Sequence, residues 1–410
     1  MIKFQKTTIF EALGRNPVHP FPARMAPGIA LQIMSDIDES RVLDPMMGSG
    51  TVLAMARAQG HHGIGFDIDP LAVLISKVWT IALDPEDIRG QATSVLENAV
   101  NEFKHIAVAD AYPQRADDET CQFVRYWFDG YARRQLTALS FAIRSLKSEI
   151  SRDALWCAFS RLIISKQSGA SRAMDLSHSR PHRVFDTAPE KPFNKFLSAV
   201  ERVIASGIDR SNPERGFEPV IKMGDARELA LPNQTVDLVL TSPPYLNAID
   251  YIRCSKFSLI WMGYSIAQLR GLRTNSIGSE AARNPCFDDS EINRIMDALS
   301  VRHGMAPRYQ RVLERYIVDM RSAIHEVARV LRRAGKAVYV VGENTLRGTF
   351  IRTSLIVLKL AEASGLSLRE RWVRTLPANR RYMPPPSSDY LVGTMNSRMT
   401  REVVLTFIKE

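Results

Sequence analysis

The feature that most narrows what this 410-residue chain can fold into is a recurring unit: a short apolar run ending on an acid or a tight loop, followed by a helical stretch. RVLD (41–44) reads as a short buried strand, and TVLAMARAQG (51–60) as a helix closed by Gly60. HHGIGFDID (61–69) reads as a second strand. PLAVLISKVWTIAL (70–83) reads as a helix opened by a proline, whose missing N–H costs nothing there. MAPGIALQIMSDI, ahead of them, has helical spacing. Strand, helix, strand, helix at these lengths predicts a parallel sheet with crossover connections.

The rhythm stops near residue 84 and resumes near 217. PVIKMGDA and TVDLVLTSPPY read as strands that run into turns. QRVLERYIVDMRSAIHEVARVL reads as a long amphipathic helix, GKAVYVVGEN as a strand and FIRTSLIVLKLAEASG as another helix. LSLRERWV and REVVLTFIKE supply late strands suited to an antiparallel arrangement at the sheet edge. Between the halves, 84–215 reads as a largely helical insert down to about 168, then as polar and irregular (SGASRAMDLSHSRPHRVFDTAPEKP). The stretch 271–308 reads as loop-rich. The expected division is therefore 1–83, the insert 84–215, and 216–410.

Lys and Arg number 54 against 44 Asp and Glu, an excess that suits a polyanionic partner, with nucleic acid the first candidate. Cys121, Cys157, Cys254 and Cys286 form no CxxC pair and stand near no His at zinc spacing, so no metal site is expected. Scattered thiols, no apolar signal core in MIKFQKTTIFEALG and no apolar run of the ~18 residues a membrane helix needs point to a cytoplasmic protein.

DPMMGSGT (44–51) lies between a strand and a helix, where glycines let backbone approach a ligand and free N–H groups face it. It is not a phosphate loop: no Lys follows the glycines, and Leu53 stands where a dinucleotide fingerprint needs its third glycine. Asp44 would repel a phosphate and suit a cation such as S-adenosylmethionine, which carries a sulfonium and an ammonium. Asp67, at the end of the second strand, is placed to accept ribose hydroxyls. Asp225, after a third strand, is a candidate for the adenine amino group.

DPMMGSGT, GFDIDP and TSPPY (241–245) together resemble the DNA methyltransferases that act on exocyclic amino groups, making N4-methylcytosine or N6-methyladenine. The resemblance covers 19–83 and 217–262 well and the later helix–strand units loosely. It implies a class I S-adenosylmethionine-dependent methyltransferase fold, Rossmann-like, mostly parallel with an antiparallel edge strand, and S-adenosylmethionine as cofactor. HPFPARMAP (19–27) is similar to the block that encloses the methionine end, which brings in His19 and Pro20. Pro45, Gly48, Ser49, Gly50 and Thr51 join Asp44, Asp67 and Asp225 as cofactor residues. A base amine is a poor nucleophile because its lone pair is delocalised into the ring, and acceptors against its N–H bonds help localise it. The resemblance gives that role to Ser242 and to the backbone carbonyl of Pro243, while Pro243 and Pro244 stiffen the loop and Tyr245 stacks on the extruded base. It makes 1–83 the cofactor-binding half, 216–410 the catalytic half and 84–215 a target-recognition insert.

Serine in the motif points to cytosine N4, with adenine N6 as the alternative. Cys286 in NPCF lacks the surroundings of a cytosine-C5 nucleophile. Asn247 and Asp250 either border the base pocket or cap the next helix. Two basic stretches suit a phosphate backbone: 160–184, with Arg161, Lys166, Arg172, Arg180 and Arg183, and 369–386, with Arg380 and Arg381 followed by Tyr382. His178 and His182 lack a third metal ligand, and Pro181 between them argues against a helix. The expected partners are double-stranded DNA and a cognate restriction endonuclease, with no membrane and no metal. RNA methylation and non-catalytic nucleic-acid binding are the competing readings.

Overall fold

The computed structural model describes residues 7–21, 24–165, 168–174, 176, 181–211, 216–246, 251–279, 289–301, 305–346, 349–376 and 401–410. Its centre is a seven-stranded sheet. In chain order the strands are β1 (Arg41–Asp44), β2 (His62–Asp67), β3 (Val220–Met223), β4 (Val236–Thr241), β5 (Leu331–Gly342), β6 (Leu366–Thr375) and β7 (Arg401–Lys409). Across the sheet they run β6-β7-β5-β4-β1-β2-β3. The neighbours from β5 to β3 pair in parallel. β7 is antiparallel to β5 on one side and to β6 on the other.

The two late strands pair antiparallel at the sheet edge, as expected, and the strand that runs against the parallel set is the inner one of the pair. Burial explains the order. Residues 403–407 of β7 are buried in succession and suit a site with a ladder on both sides, whereas β6 carries exposed Arg369, Glu370 and Arg371 and suits the rim.

The helices are α1 (Ile9–Leu13), α2 (Pro27–Ser35), α3 (Thr51–Ala58), α4 (Pro70–Thr80), α5 (Pro85–Phe103), α6 (Asp118–Trp127), α7 (Gly130–Arg144), α8 (Glu149–Ile163), α9 (Pro192–Ser206), α10 (Tyr251–Leu259), α11 (Ile266–Asn275), α12 (Ser290–Leu299), α13 (Pro307–Val330) and α14 (Thr353–Ala363). Alternation along the strands splits the core between two faces. Leu43, Val239, Tyr339, Val341 and Leu405 pack with α13 and α14. Val42, Leu238, Leu240, Val338 and Val404 pack with α2 and α3.

Four helices were not apparent in the sequence, the short α1 among them. α9 follows the polar tract of the insert, and α11 and α12 interrupt the stretch read as loop-rich. α12 has the right period, burying Ile292, Ile295, Met296 and Leu299, but it is short and its flanks are polar. The insert does not fold around a core of its own. α5, α7, α8 and α9 share one apolar cluster with α4 and α10, so Trp79, Phe159, Phe257 and Trp261 lie in the same buried layer. Trp261 is fully buried and meets Phe128 of the insert edge-on at 5.5 Å. Trp261→Ala should lose about 3–5 kcal/mol of stability, read as a lower urea midpoint. Among the described residues, no helix is long and apolar enough to cross a membrane.

Candidate active site

The strand order reverses direction between β1 and β4, where α/β sheets open a crevice at their carboxyl ends. The loops leaving those two strands are DPMMGSGT and TSPPY. They touch directly: Thr241 Oγ1 donates to Asp44 Oδ1 at 2.8 Å.

The first loop is shaped by its glycines. Gly48 and Gly50 have φ of +50° and +79°, the left-handed region that favours glycine. A Cβ on Gly50 would lie 2.7 Å from Ser76 Oγ and 3.1 Å from Ser76 Cα. Ser76, on α4, donates to the Gly48 carbonyl at 3.0 Å and so fastens the loop. Gly48 N–H in turn donates to Asp67 Oδ2 at 2.9 Å. Pro45 continues from β1, and Ser49 and Thr51 are buried with their hydroxyls 3.4 Å apart at the start of α3.

Three acids crowd this loop. Asp44 is buried, and burial pushes its carboxyl up to about 7 against the opposing bonds from Thr241 and Met46 N–H. Both of those bonds fall on Oδ1. Asp67 is also raised by burial, opposed by backbone donors at Asp69, Gly48 and Ile68. Asp69, the N-cap of α4, is raised to about 7, first by burial and then by the charge of Asp67. A concentration of buried carboxyls favours a cationic ligand over a phosphate.

The N-terminal block covers this loop through Phe21, not through His19. A Cβ on Gly48 would meet Phe21 Cε1 at 3.8 Å, and Phe21 stacks on Tyr251 at 5.5 Å between centroids. His19 is buried with Nε2 2.9 Å from Ser160 Oγ, which donates onward to Ser258. Burial, and then Arg161 and Arg24, hold its imidazole well below its usual pKa, so it stays neutral. Pro20 links the two.

In the second loop Ser242 Oγ donates to the Val340 carbonyl at 3.0 Å. Pro243 is buried, and the Pro244 carbonyl accepts from Tyr316 Oη at 3.1 Å. The Tyr245 ring packs on the core and its hydroxyl donates to Glu402 Oε1 at 3.2 Å. Burial, then the charge of Glu402, raise this phenol well above its usual pKa.

Asp225 follows β3 beside the second acid, where Gly224 N–H donates to the Asp67 carbonyl at 3.0 Å. The Asp225 carboxylate is held by Arg227, which also pairs with buried Asp319 at 2.7 Å. Arg172 donates through Nη1 to the carbonyls of Arg125 and Tyr126 at the end of α6. Arg183 is exposed, over the Tyr126 ring at 5.2 Å. Arg180, Arg380, Arg381, Lys166, Tyr382, His178, Asn247, Asp250 and Cys286 lie outside the described residues.

Sequence reasoning passed over Phe21, Asp69, Thr241 and Glu402, and read Tyr251 as a packing residue, which its stack on Phe21 fits. Asp69 had a signal, an acid directly before a helix-opening proline. Glu402 had none, because it reaches Tyr245 only through the sheet.

Among curated proteins, the chain is similar to the type II methyltransferase M.MvaI of Kocuria varians, 24% identical over 418 residues that cover 94% of this chain and 89% of that one. It is 22% identical to the type II methyltransferase M.BsoBI of Geobacillus stearothermophilus, over 79% of this chain and 72% of that one. M.AvaI of Nostoc sp., another type II methyltransferase, matches 42% of this chain and 38% of its own length at 26% identity. No protein-family model matches. A solved TehB-like S-adenosylmethionine-dependent methyltransferase from Corynebacterium glutamicum overlaps 93% of this chain and 86% of its own, at 11% identity and a TM-score of 0.30. That overlap is too loose to argue from.

Proposed function

We propose that this chain, similar to type II methyltransferases, is an exocyclic-amino DNA methyltransferase that transfers a methyl group from S-adenosylmethionine to N4 of cytosine in duplex DNA. The observation that carries the reading is the Thr241–Asp44 hydrogen bond of 2.8 Å, which locks the acidic glycine loop to the SPPY loop. Two groups that must act on one reaction are thereby held side by side.

The residues fit this cofactor: a loop that Gly48 and Gly50 turn tightly at positive φ, and buried acids in place of a phosphate-binding lysine. When bound, S-adenosylmethionine supplies an electrophilic methyl group on sulfur. Asp44 supplies the negative charge that favours a cation, with Oδ2 turned away from its own hydrogen bonds. Asp67 offers the ribose acceptor, and Gly48, Ser49, Gly50 and Thr51 line the approach. Asp225, presented by Arg227, serves the adenine amine. His19 acts indirectly, by fixing the chain on which Pro20 and Phe21 lie.

Ser242 Oγ and the Pro243 carbonyl accept from the substrate amine and localise its lone pair, and the Tyr245 ring takes the extruded base. Serine at this position favours cytosine. The insert 84–215 carries target recognition, with Arg183 an exposed cation for the phosphate backbone. The type II relatives support a role in restriction–modification beside a cognate endonuclease.

The test is to incubate the protein with S-adenosylmethionine and either unmethylated genomic DNA or total RNA, then digest to nucleosides for mass spectrometry. N4-methylcytosine in the DNA is expected. N6-methyladenine would overturn the base assignment, methylation confined to RNA would overturn the polymer, and no product in either would overturn the reading as an enzyme.

A further inference from the structure

Around Ser242 the protons can be assigned one by one. The serine hydroxyl lies 3.0 Å from the Val340 carbonyl, which only accepts, so its single proton goes there. Tyr245 Oη lies 3.2 Å from Glu402 Oε1 and 3.4 Å from Ser242 Oγ. It also has one proton and therefore two candidate acceptors. Glu402 Oε2 accepts from Arg374 Nε at 2.8 Å, and both side chains are largely sheltered, at 18% and 14% exposure for the arginine and the glutamate. A carboxylate is the stronger acceptor, by roughly a factor of two over a neutral oxygen. The phenol proton therefore goes to Glu402. Among the described residues, nothing donates to Ser242 while this arrangement holds.

We infer that Glu402, held by Arg374, is a positioning residue that diverts the Tyr245 proton and so keeps Ser242 free to accept from the substrate amine. The inference rests on the methyl-transfer reading above. Its parts come from three neighbouring strands: Val340 on β5, Glu402 on β7 and Arg374 on β6, directly across the ladder from Glu402. Without the carboxylate, the acceptor that remains within reach of the phenol among the described residues is Ser242 Oγ, 3.4 Å away. A serine that receives a proton from tyrosine has one of its two lone pairs committed and is a weaker, more crowded acceptor for the amine.

The test is an order-of-effects experiment on the full-length protein, with kcat measured on saturating genomic DNA. Glu402→Ala should lower kcat about 10- to 100-fold, the range for misdirecting one buried hydrogen bond, with KM for S-adenosylmethionine unmoved. Tyr245→Phe added to Glu402→Ala removes the misdirected proton, so the double variant should be faster than Glu402→Ala by about 10-fold. Glu402→Gln keeps an acceptor for the phenol and should lose less than Glu402→Ala. If Glu402→Ala does not fold, Glu402→Met, close in volume but without the acceptor, takes its place in both backgrounds.

A double variant as slow as Glu402→Ala, or slower, overturns the inference, because a purely structural glutamate predicts that result. An active wild type with full-rate Glu402→Ala overturns it as well and leaves the methyl-transfer reading standing. A wild type that transfers no methyl group overturns that reading and this inference with it.

Discussion

Ser242→Ala should lower kcat on DNA by about 10²- to 10³-fold while the affinity for S-adenosylmethionine stays within a few-fold of wild type. The split follows from geometry. Ser242 leaves β4 on the catalytic loop and bonds to Val340, not to any residue of the glycine loop. The contact between the two loops runs through Thr241, which the substitution leaves in place. The hydroxyl is small and bonds to a main-chain carbonyl, so its loss neither opens a large cavity nor strands a charge. What disappears is one preorganised acceptor at the amine. Rapid-quench single turnovers would read the methyl-transfer step, and calorimetry would read cofactor binding. Equal losses in both would place Ser242 in cofactor binding and remove it from the proposed chemistry.

Asp44→Asn should weaken S-adenosylmethionine binding by about 10²- to 10³-fold, since it removes the buried partner of a cation. It should also remove a pH dependence. The carboxyl is raised from 3.8 to about 7, chiefly by burial. A cationic ligand favours the ionised form, so wild-type affinity should rise as pH passes through about 7, and the Asn variant should lack that rise.

Stability of the ligand-free protein runs the other way. A folded-state pKa above the unfolded one means that the native state holds the extra proton between 3.8 and about 7. That contribution to stability is complete below 3.8 and is lost as pH rises to about 7. The ligand-free Asn variant should therefore melt higher than wild type at pH 8 while binding the cofactor worse. Thermal melts with and without cofactor at pH 6 and pH 8 would check both signs.

Much of this site could be read from the chain because its chemistry is local in sequence. DPMMGSGT and TSPPY each occupy one strand-to-loop junction, and strand ends facing one crevice bring such junctions together. The strand and helix rhythm gave the sheet for the same reason. The rest depends on long-range contacts. Glu402 meets Tyr245 across 157 positions, and nothing near either residue encodes the pairing. Arg227 beside Asp225 is near in sequence, but its hold on Asp319, 92 positions away, fixes the pair in space. His19 sits in a recognisable block, yet its ring turns to Ser160 because a buried imidazole needs a partner and α8 supplies one. Arg172, read as a phosphate contact, gives its Nη1 to carbonyls at the end of α6, a bond to residues 46 and 47 positions away that the local sequence does not encode.

The shared layer around Trp79, Phe159, Phe257 and Trp261 restricts how such a protein can diversify. A segment that folded alone could be traded whole between relatives, carrying its preference for a DNA sequence with it. Here a chimera joined at residues 84 and 215 would match one parent's aromatic side chains against the other's, and every mismatch would lie in the interior. If 84–215 carries target recognition as proposed, new preferences are more accessible through changes on outward-facing positions, such as those around Tyr126 and Arg183, which leave the common interior intact.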